Sequence, residues 1–395
     1  MVRFAVIGIG NMGRAHAVNL FKGEVEGATL TCVCDIDKEK LNWAKENFKE
    51  KVAYFEDYKE LLSTNLFDIV LIATPHYDHP KIAMDAFKAG FHVITEKPAG
   101  VDIESVRKMN LYSIVSGKVF AIMYNQRTDS LFQTLKYYID LGVLGEIKRT
   151  VWIINNWYRT QHYYDSATWR ASWNGEGGGA LINQCPHNLD IWQWIMGMPD
   201  KISAHCNEGL FHKIGVEDDA TIYAEYKNGA SAVFITSTGE YPGTNRLEIS
   251  GTMGKAVAED GVLKLFLLDE NEEKIRFESN ESMPTEKVTP ITISFKEEKD
   301  GHILLLQNVV NHIEKGEELI APGVEGIRGL TISNAAYLSA WTKKEVKLPF
   351  NEKKFNRYLN KKKTLELLGG KKRNRKSEEK SEDNGEYSAR WKVRW

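Results

Sequence analysis

At 395 residues, 42% apolar and 27% charged, the chain is too long for one ordinary domain and has the composition of globular, non-fibrous proteins. Its longest apolar runs, such as residues 69–73, are far too short to span a bilayer, which argues against a membrane-embedded enzyme. The net charge of −2 conceals an asymmetry, because the residues from Asn351 onward hold 15 Lys and Arg against 7 Asp and Glu. The opening Met1-Val-Arg-Phe has neither a basic n-region nor an apolar h-region. Cys32, Cys34, Cys185 and Cys206 show no CxxC spacing, so a reducing cytoplasm is the expected setting.

Residues 2–7 are a short apolar run expected to be a buried strand. The run ends in Gly8-Ile9-Gly10-Asn11-Met12-Gly13, a helical pattern follows through Leu20, and a second strand over 30–34 stops at Asp35. G-x-G-x-x-G between strand and helix, with an acid about 20 residues on, is the dinucleotide fingerprint. The glycines let backbone approach a pyrophosphate at the helix N-terminus, and the acid accepts from a ribose hydroxyl. Asp35 also selects the cofactor. A carboxylate repels a 2′-phosphate, and Ile36 and Asp37 follow it rather than Arg or Ser, which favours NAD over NADP.

Alternating helices and strands continue to residue 123 and predict a doubly wound parallel sheet. Two strand-end loops are candidate cofactor contacts: Thr74-Pro75-His76-Tyr77-Asp78-His79 and Glu96-Lys97-Pro98. His76 and His79 have metal-like spacing without a third ligand nearby, so they are assigned to the cofactor loop and no metal is expected. Lys97 is either a cation facing a nicotinamide or a surface lysine.

The stretch from Gly177 to Asp190, GGGALINQCPHNLD, concentrates reactive groups. On one helix Asn183 and His187 would share a face, with Asp190 a turn further on. Pro186 is tolerated only in a first turn or at a kink. Asn183 is therefore either a helix N-cap or a contact for a substrate hydroxyl. Asp190 either buttresses His187 or forms a helix salt bridge. Six of the ten tryptophans lie between Trp152 and Trp194, with Tyr158, Tyr163 and Tyr164 among them. Residues 155–162, NNWYRTQH, are too polar for core, and aromatic faces among amides and Arg suit a sugar. Histidine is matched to taking an alcohol proton, and a nearby ammonium to stabilising a developing alkoxide.

Together GIGNMG, Asp35, ATPHYDH, GFHVITEKP, Trp169-Arg170 and GGGALINQCPHNLD resemble the glucose–fructose oxidoreductase/inositol dehydrogenase (Gfo/Idh/MocA) family. The resemblance implies a Rossmann domain, here 1–124, and an α/β domain with a large open, mostly antiparallel sheet, here 125–350. It implies that Lys97 lies beside the nicotinamide, that His187 is general acid/base, and that Trp169 and Arg170 pack near the nicotinamide end. Asn183 stands where many relatives carry aspartate. Expected cofactor contacts are Gly8, Gly10, Asn11, Met12, Gly13, Asp35, Ile36, Thr74, Pro75, His76, His79, Glu96, Lys97, Asn125, Trp169 and Arg170. Expected substrate contacts are Asn183, Tyr158, Arg159, Trp157, His162 and Tyr124. The NQCPHNLD variant most resembles members that oxidise the C3 hydroxyl of glucosides. An inositol or free-sugar dehydrogenase and a redox-neutral NAD-dependent glycosidase are alternatives; intact Lys97 and His187 argue against a non-enzymatic sensor.

Residues 351–395 are expected to be a basic tail. In Arg390-Trp391-Lys392-Val393-Arg394-Trp395 the apolar residues alternate with cations, as in a half-buried strand docking on an acidic neighbouring subunit. A homo-oligomer, tetramer or larger, is expected on that basis. Acids interrupt the tail's cations and the body is acidic, which disfavours a nucleic-acid partner.

Overall fold

The structure, a computed structural model, describes residues 1–296 and 299–369. Its first sheet comprises β1 (Val2–Ile7), β2 (Ala28–Cys34), β3 (Ala53–Phe55), β4 (Ile69–Ile72), β5 (His92–Thr95) and β6 (Phe120–Ile122). All are parallel, in the order β3-β2-β1-β4-β5-β6. Helices α1 (Asn11–Lys22), α2 (Lys38–Phe48), α3 (Tyr58–Leu62), α4 (Asp78–Lys88) and α5 (Ile103–Ser116) connect them. The strands read as continuous apolar runs because helices cover both faces: β1 and β4 are almost wholly buried. Strand order reverses between β1 and β4. Their carboxyl ends lie side by side at the switch point where such sheets bind ligands.

The second part contains α6 (Ser130–Asp140), β7 (Ile147–Ile154), α7 (Gln161–Asp165), α8 (Ala180–Asn183), α9 (Pro186–Met196), β8 (Lys201–Glu208) and β9 (Glu217–Glu225). It continues with β10 (Ser231–Ser237), β11 (Asn245–Gly251), β12 (Gly254–Glu259), β13 (Val262–Leu268), α10 (Glu272–Glu278) and β14 (Val288–Ser294). The last elements are α11 (Gly301–Lys315), α12 (Gly326–Thr342), β15 (Val346–Lys347) and α13 (Glu352–Leu368). The sheet order is β14-β13-β12-β11-β7-β10-β9-β8-β15, and β7–β10 is this sheet's one parallel pairing among the described residues. Trp152, fully buried, meets Phe132 and Phe234, and Trp192 stacks on Phe234.

Four features differ from the sequence expectation. Helix α11, in a stretch the sequence suggests as a helix closing the second domain's fold, packs on the first sheet instead: Leu305, Leu306, Val309 and Val310 join that core. Residues 270–299, expected to be a polar hairpin or loop, hold α10 and β14. The stretch from Gly177 to Asp190 is not one helix. Pro186 has no N–H to continue α8, and α9 begins with Cys185 as its N-cap and Pro186 in its first turn. The tail begins as an amphipathic helix, in which Phe355 and Leu359 are buried and Phe355 and Tyr358 stack on Trp341. The arm over 390–395 lies outside the described residues. No helix of the described residues is long and apolar enough to cross a membrane.

Candidate active site

At the end of β1 the chain must turn within van der Waals reach of β4. Gly8 has φ +93°, and a Cβ there would lie 2.6 Å from the Ala73 carbonyl oxygen. A Cβ at Gly13 would meet the Gly8 carbonyl oxygen at 1.7 Å. Gly10 differs, since a Cβ there meets nothing within 4 Å. It is the N-cap of α1, without a side-chain cap and without an acid in the first turn, so the helix N-terminus remains available to an anion. Asp35 is buried at the end of β2, accepts from the Ile9 N–H (2.6 Å) and the Asp37 N–H (2.9 Å), and so ties the turn to the second strand. Ile36 beside it is 89% exposed, an apolar side chain a ligand could cover. Thr74 Oγ1 and Asn125 Oδ1 are buried without partners among the described residues. A cradle that is open at Gly10, an uncapped helix start, a carboxylate at the ribose position and orphaned polar atoms at the strand ends fit a dinucleotide.

His79 does not face this cradle. Its ring nitrogens meet the Pro98 and Thr74 carbonyl oxygens at 2.8 and 2.7 Å, stapling the two strand-end loops together. His76 Nδ1 meets the Glu176 carbonyl oxygen at 2.8 Å, and its ring packs edge-on to Trp169. Burial, with His79 adding to it, lowers the His76 pKa to about 3, which keeps that imidazole neutral. Among the described residues no group of three or more His, Cys, Asp or Glu is arranged to hold a metal.

Lys97 crosses the domain junction and donates from Nζ to the Asn183 carbonyl oxygen (2.9 Å), at the last residue of α8. Burial lowers its pKa, while the Glu96 and Glu176 carboxylates pull it back. Glu96 is itself buried, paired with His16 at 2.7 Å and held at about 2: burial opposes ionisation, and the His16 hydrogen bond and charge overcome it. His187, in the first turn of α9, is partly buried, and its Nδ1 is enclosed without a hydrogen-bond partner. Burial first, then the Lys97 ammonium, hold its pKa well below 6.5. The ring is therefore a neutral base with one nitrogen unpaired. Tyr124, an expected substrate contact, is buried instead against the His187 edge, with ring centroids 6.1 Å apart.

Asp190 does neither of the things expected of it. Both its oxygens accept from Arg127, at 2.7 Å each, and Gln193 adds a third bond. Arg127 also reaches Glu325 at 2.6 Å, so this buried network locks α9 to the first domain's end and to α12. Asn183 is not an N-cap, since it ends α8. Its Nδ2 donates to Glu176 Oε1.

Two buried carboxylates escaped the sequence reading. Glu176, 2% exposed, lies between Asn183, the Ala171 N–H (2.7 Å) and Arg170. Glu217 accepts from the Gly179 and Leu181 N–H groups (2.9 Å each) and from the Tyr337 hydroxyl (2.7 Å), fixing the start of α8. Burial pushes its pKa up to about 8 against the pull of those three donors. A Cβ on Gly179 would meet the Glu217 carbonyl oxygen at 1.9 Å, so the glycine run is partly a packing requirement. An isolated Glu before GGG carries no periodic signal; its burial is visible only in three dimensions.

The aromatic cluster divides. Trp152, Trp157, Trp173 and Trp192 are core, which corrects the expected substrate contact of Trp157: its large apolar area is covered by the second sheet's core. Tyr158 remains exposed, its ring tilted against that of Tyr241 with centroids 5.4 Å apart, and His162 is exposed. Arg159 lies over the Tyr163 ring, and Arg170 lies over Tyr163 and Trp169 while donating to the Tyr163 hydroxyl at 2.8 Å. Tyr163, not singled out as a contact from sequence, thus joins the Arg159 and Arg170 segments, and Gln184 donates to its hydroxyl at 3.3 Å.

Residues 2–124 match the model of an oxidoreductase family's NAD-binding Rossmann fold, and residues 136–348 match its C-terminal alpha/beta domain. Myo-inositol 2-dehydrogenase of Thermotoga maritima is 25% identical over 354 residues, 88% of this chain and 98% of that protein. D-glucoside 3-dehydrogenase of Escherichia coli is 25% identical over 358 residues, covering 88% and 97%. The WlbA dehydrogenase of Chromobacterium violaceum, solved with NADH and UDP-GlcNAcA, superposes with a TM-score of 0.75 at 28% identity, covering 89% and 96%.

Proposed function

The chain belongs to the Gfo/Idh/MocA family of NAD-dependent oxidoreductases acting on CH–OH groups of sugar-type substrates, and from that premise we propose that it oxidises C3 of a glucoside to the 3-keto-glucoside. The observation that carries the reading is the pairing of a neutral, hydrogen-bond-vacant His187 with the Lys97 ammonium at one junction. Gly8, Gly10, Asn11, Met12 and Gly13 would hold the diphosphate, Asp35 the ribose, and Ile36 the adenine. Thr74, Pro75, His76, Glu96, Asn125, Trp169 and Arg170 would line the nicotinamide end. Bound there, NAD would supply the hydride acceptor for the reacting carbon. His187 takes the hydroxyl proton, and its depressed pKa leaves it free to do so at neutral pH. Lys97 stabilises the charge that develops on the oxygen. Exposed Tyr158 and Tyr241, with Arg159 nearby, offer stacking and hydrogen bonding to the rest of the glycoside. The glucoside assignment is supported by the Escherichia coli relative, and the Thermotoga maritima relative, at equal identity, favours an inositol as the second reading.

NADH formation at 340 nm against alkyl and aryl glucosides, free hexoses and inositols tests the proposal. Glucosides are expected to give the highest kcat/KM, with a 3-keto product. Preferential oxidation of an inositol would replace the reading by its alternative.

A further inference from the structure

An Asn side chain offers a substrate either an acceptor or a pair of donors, depending on how its amide is turned. Here a buried carboxylate fixes that choice. Glu176 Oε2 accepts from the Ala171 N–H at 2.7 Å, and Oε1 accepts from Asn183 Nδ2. Turning the amide over would set its carbonyl oxygen against a carboxylate oxygen, two acceptors with no proton between them. Burial raises the pKa of this carboxyl, and the Arg170 guanidinium (Nη1 4.0 Å from Oε1), the Ala171 and Asn183 donors and the Lys97 ammonium act against that rise, while the His76 ring holds the Glu176 carbonyl. Asn183 Oδ1 accepts from no described residue and is not among the enclosed atoms, so a bound molecule can reach it. The backbone carbonyl of the same residue receives Lys97, which puts this acceptor one residue's width from the ammonium.

We propose that Glu176 is a positioning residue that turns Asn183 so that the site presents a hydrogen-bond acceptor, selecting substrates with a free hydroxyl beside the reacting one. This deepens the sugar-oxidation reading and rests on it. The selected hydroxyl donates to Asn183 Oδ1. A ketone, ether or fluorine at that position brings a second acceptor and is disfavoured. The same carboxylate that orients the amide draws on the Lys97 and Arg170 charges, so the selecting and reacting groups form one cluster.

The test compares, for the best substrate of the sugar panel, kcat/KM with that of analogues in which each non-reacting hydroxyl in turn is replaced by fluorine. Wild-type enzyme is expected to lose about threefold to tenfold at one position, the worth of one neutral hydrogen bond. In Glu176→Gln the amide pair can flip, and that ratio should approach one. In the Glu176→Gln/Asn183→Asp double variant the Gln donates and the Asp keeps an outward oxygen, so the ratio should return. Insensitivity at every position, or an unchanged ratio in Glu176→Gln, would overturn the proposal. An arm independent of turnover uses Asn183→Asp. Two facing carboxylates should make its melting temperature, relative to wild type, fall between pH 5 and pH 8, and the double variant should abolish that fall. Absence of the fall overturns the proposal. If no sugar is oxidised, the functional reading fails by itself and the melting arm still decides this one.

Discussion

With His187 as the proposed base, its environment sets the pH behaviour expected of the reaction. Its folded pKa is depressed by burial and by Lys97, so the unprotonated base persists below pH 6.5 and is lost only as pH falls through that lower folded value. kcat/KM for oxidation, followed as NADH, should therefore be level from pH 8 to pH 6.5 and decline below it; a decline centred above 6.5 would contradict the depressed pKa. Lys97→Ala and His187→Ala should each lower kcat by about 10²–10⁴ while NAD affinity, measured by calorimetry, changes little. Asp35 was singled out in the sequence by its spacing from the glycine fingerprint, and Lys97 and His187 by the family resemblance. Glu176 was not, and neither was the partner of Asp190. Those contacts join residues far apart in the chain or buried without periodic pattern: Arg127 and Asp190 are 63 positions apart. Trp157 misled for a related reason, since a polar neighbourhood in sequence says little about which aromatic faces the interior.

At the scale of elements, the glycines of the turn divide between packing and access for a ligand. Gly10→Ala projects a methyl into open space. The variant should fold with an unchanged melting temperature and bind NAD about tenfold more weakly, a loss near 1.4 kcal/mol. Gly13→Ala, with its Cβ 1.7 Å from the Gly8 carbonyl oxygen, should instead lower the melting temperature before any ligand is added. Equal behaviour of the two variants would contradict the division of roles. Glu217→Ala leaves two backbone N–H groups and the Tyr337 hydroxyl unpaired and should cost about 2–4 kcal/mol in denaturant unfolding. Loss of amide-exchange protection should concentrate at residues 179–181. Five strands of the first sheet were readable as buried apolar runs, whereas the edge strand β3, three half-buried residues, was not. In the second sheet β8 is half polar with alternate residues buried at its start and offers no such run, while the helix start at Pro186 was among the alternatives the sequence left open.

Across the whole molecule, the chain folds back on itself twice in ways composition concealed. Helix α11 returns to the first domain, and α13, read from its charge as tail, seals the second. Glu366 near its end accepts from the Trp173 N–H at 3.1 Å and the Asn174 N–H at 2.9 Å, anchoring the segment that leads to Glu176. The spacing of Phe355, Tyr358 and Leu359 announced this helix in the sequence, but the surrounding lysines outweighed it. The two domains meet through Lys97 on Asn183, His76 on Glu176 and the Tyr77 hydroxyl on the Trp173 carbonyl (2.6 Å), so the proposed reaction site is assembled by domain packing. The most direct measurement of the reaction assigned to that site follows a glucoside carrying deuterium at C3. Incubated with NAD, it should transfer the label to the reduced nicotinamide and leave an unlabelled 3-keto-glucoside. Deuterium retained in an oxidised sugar would place the chemistry at another carbon and contradict the assignment.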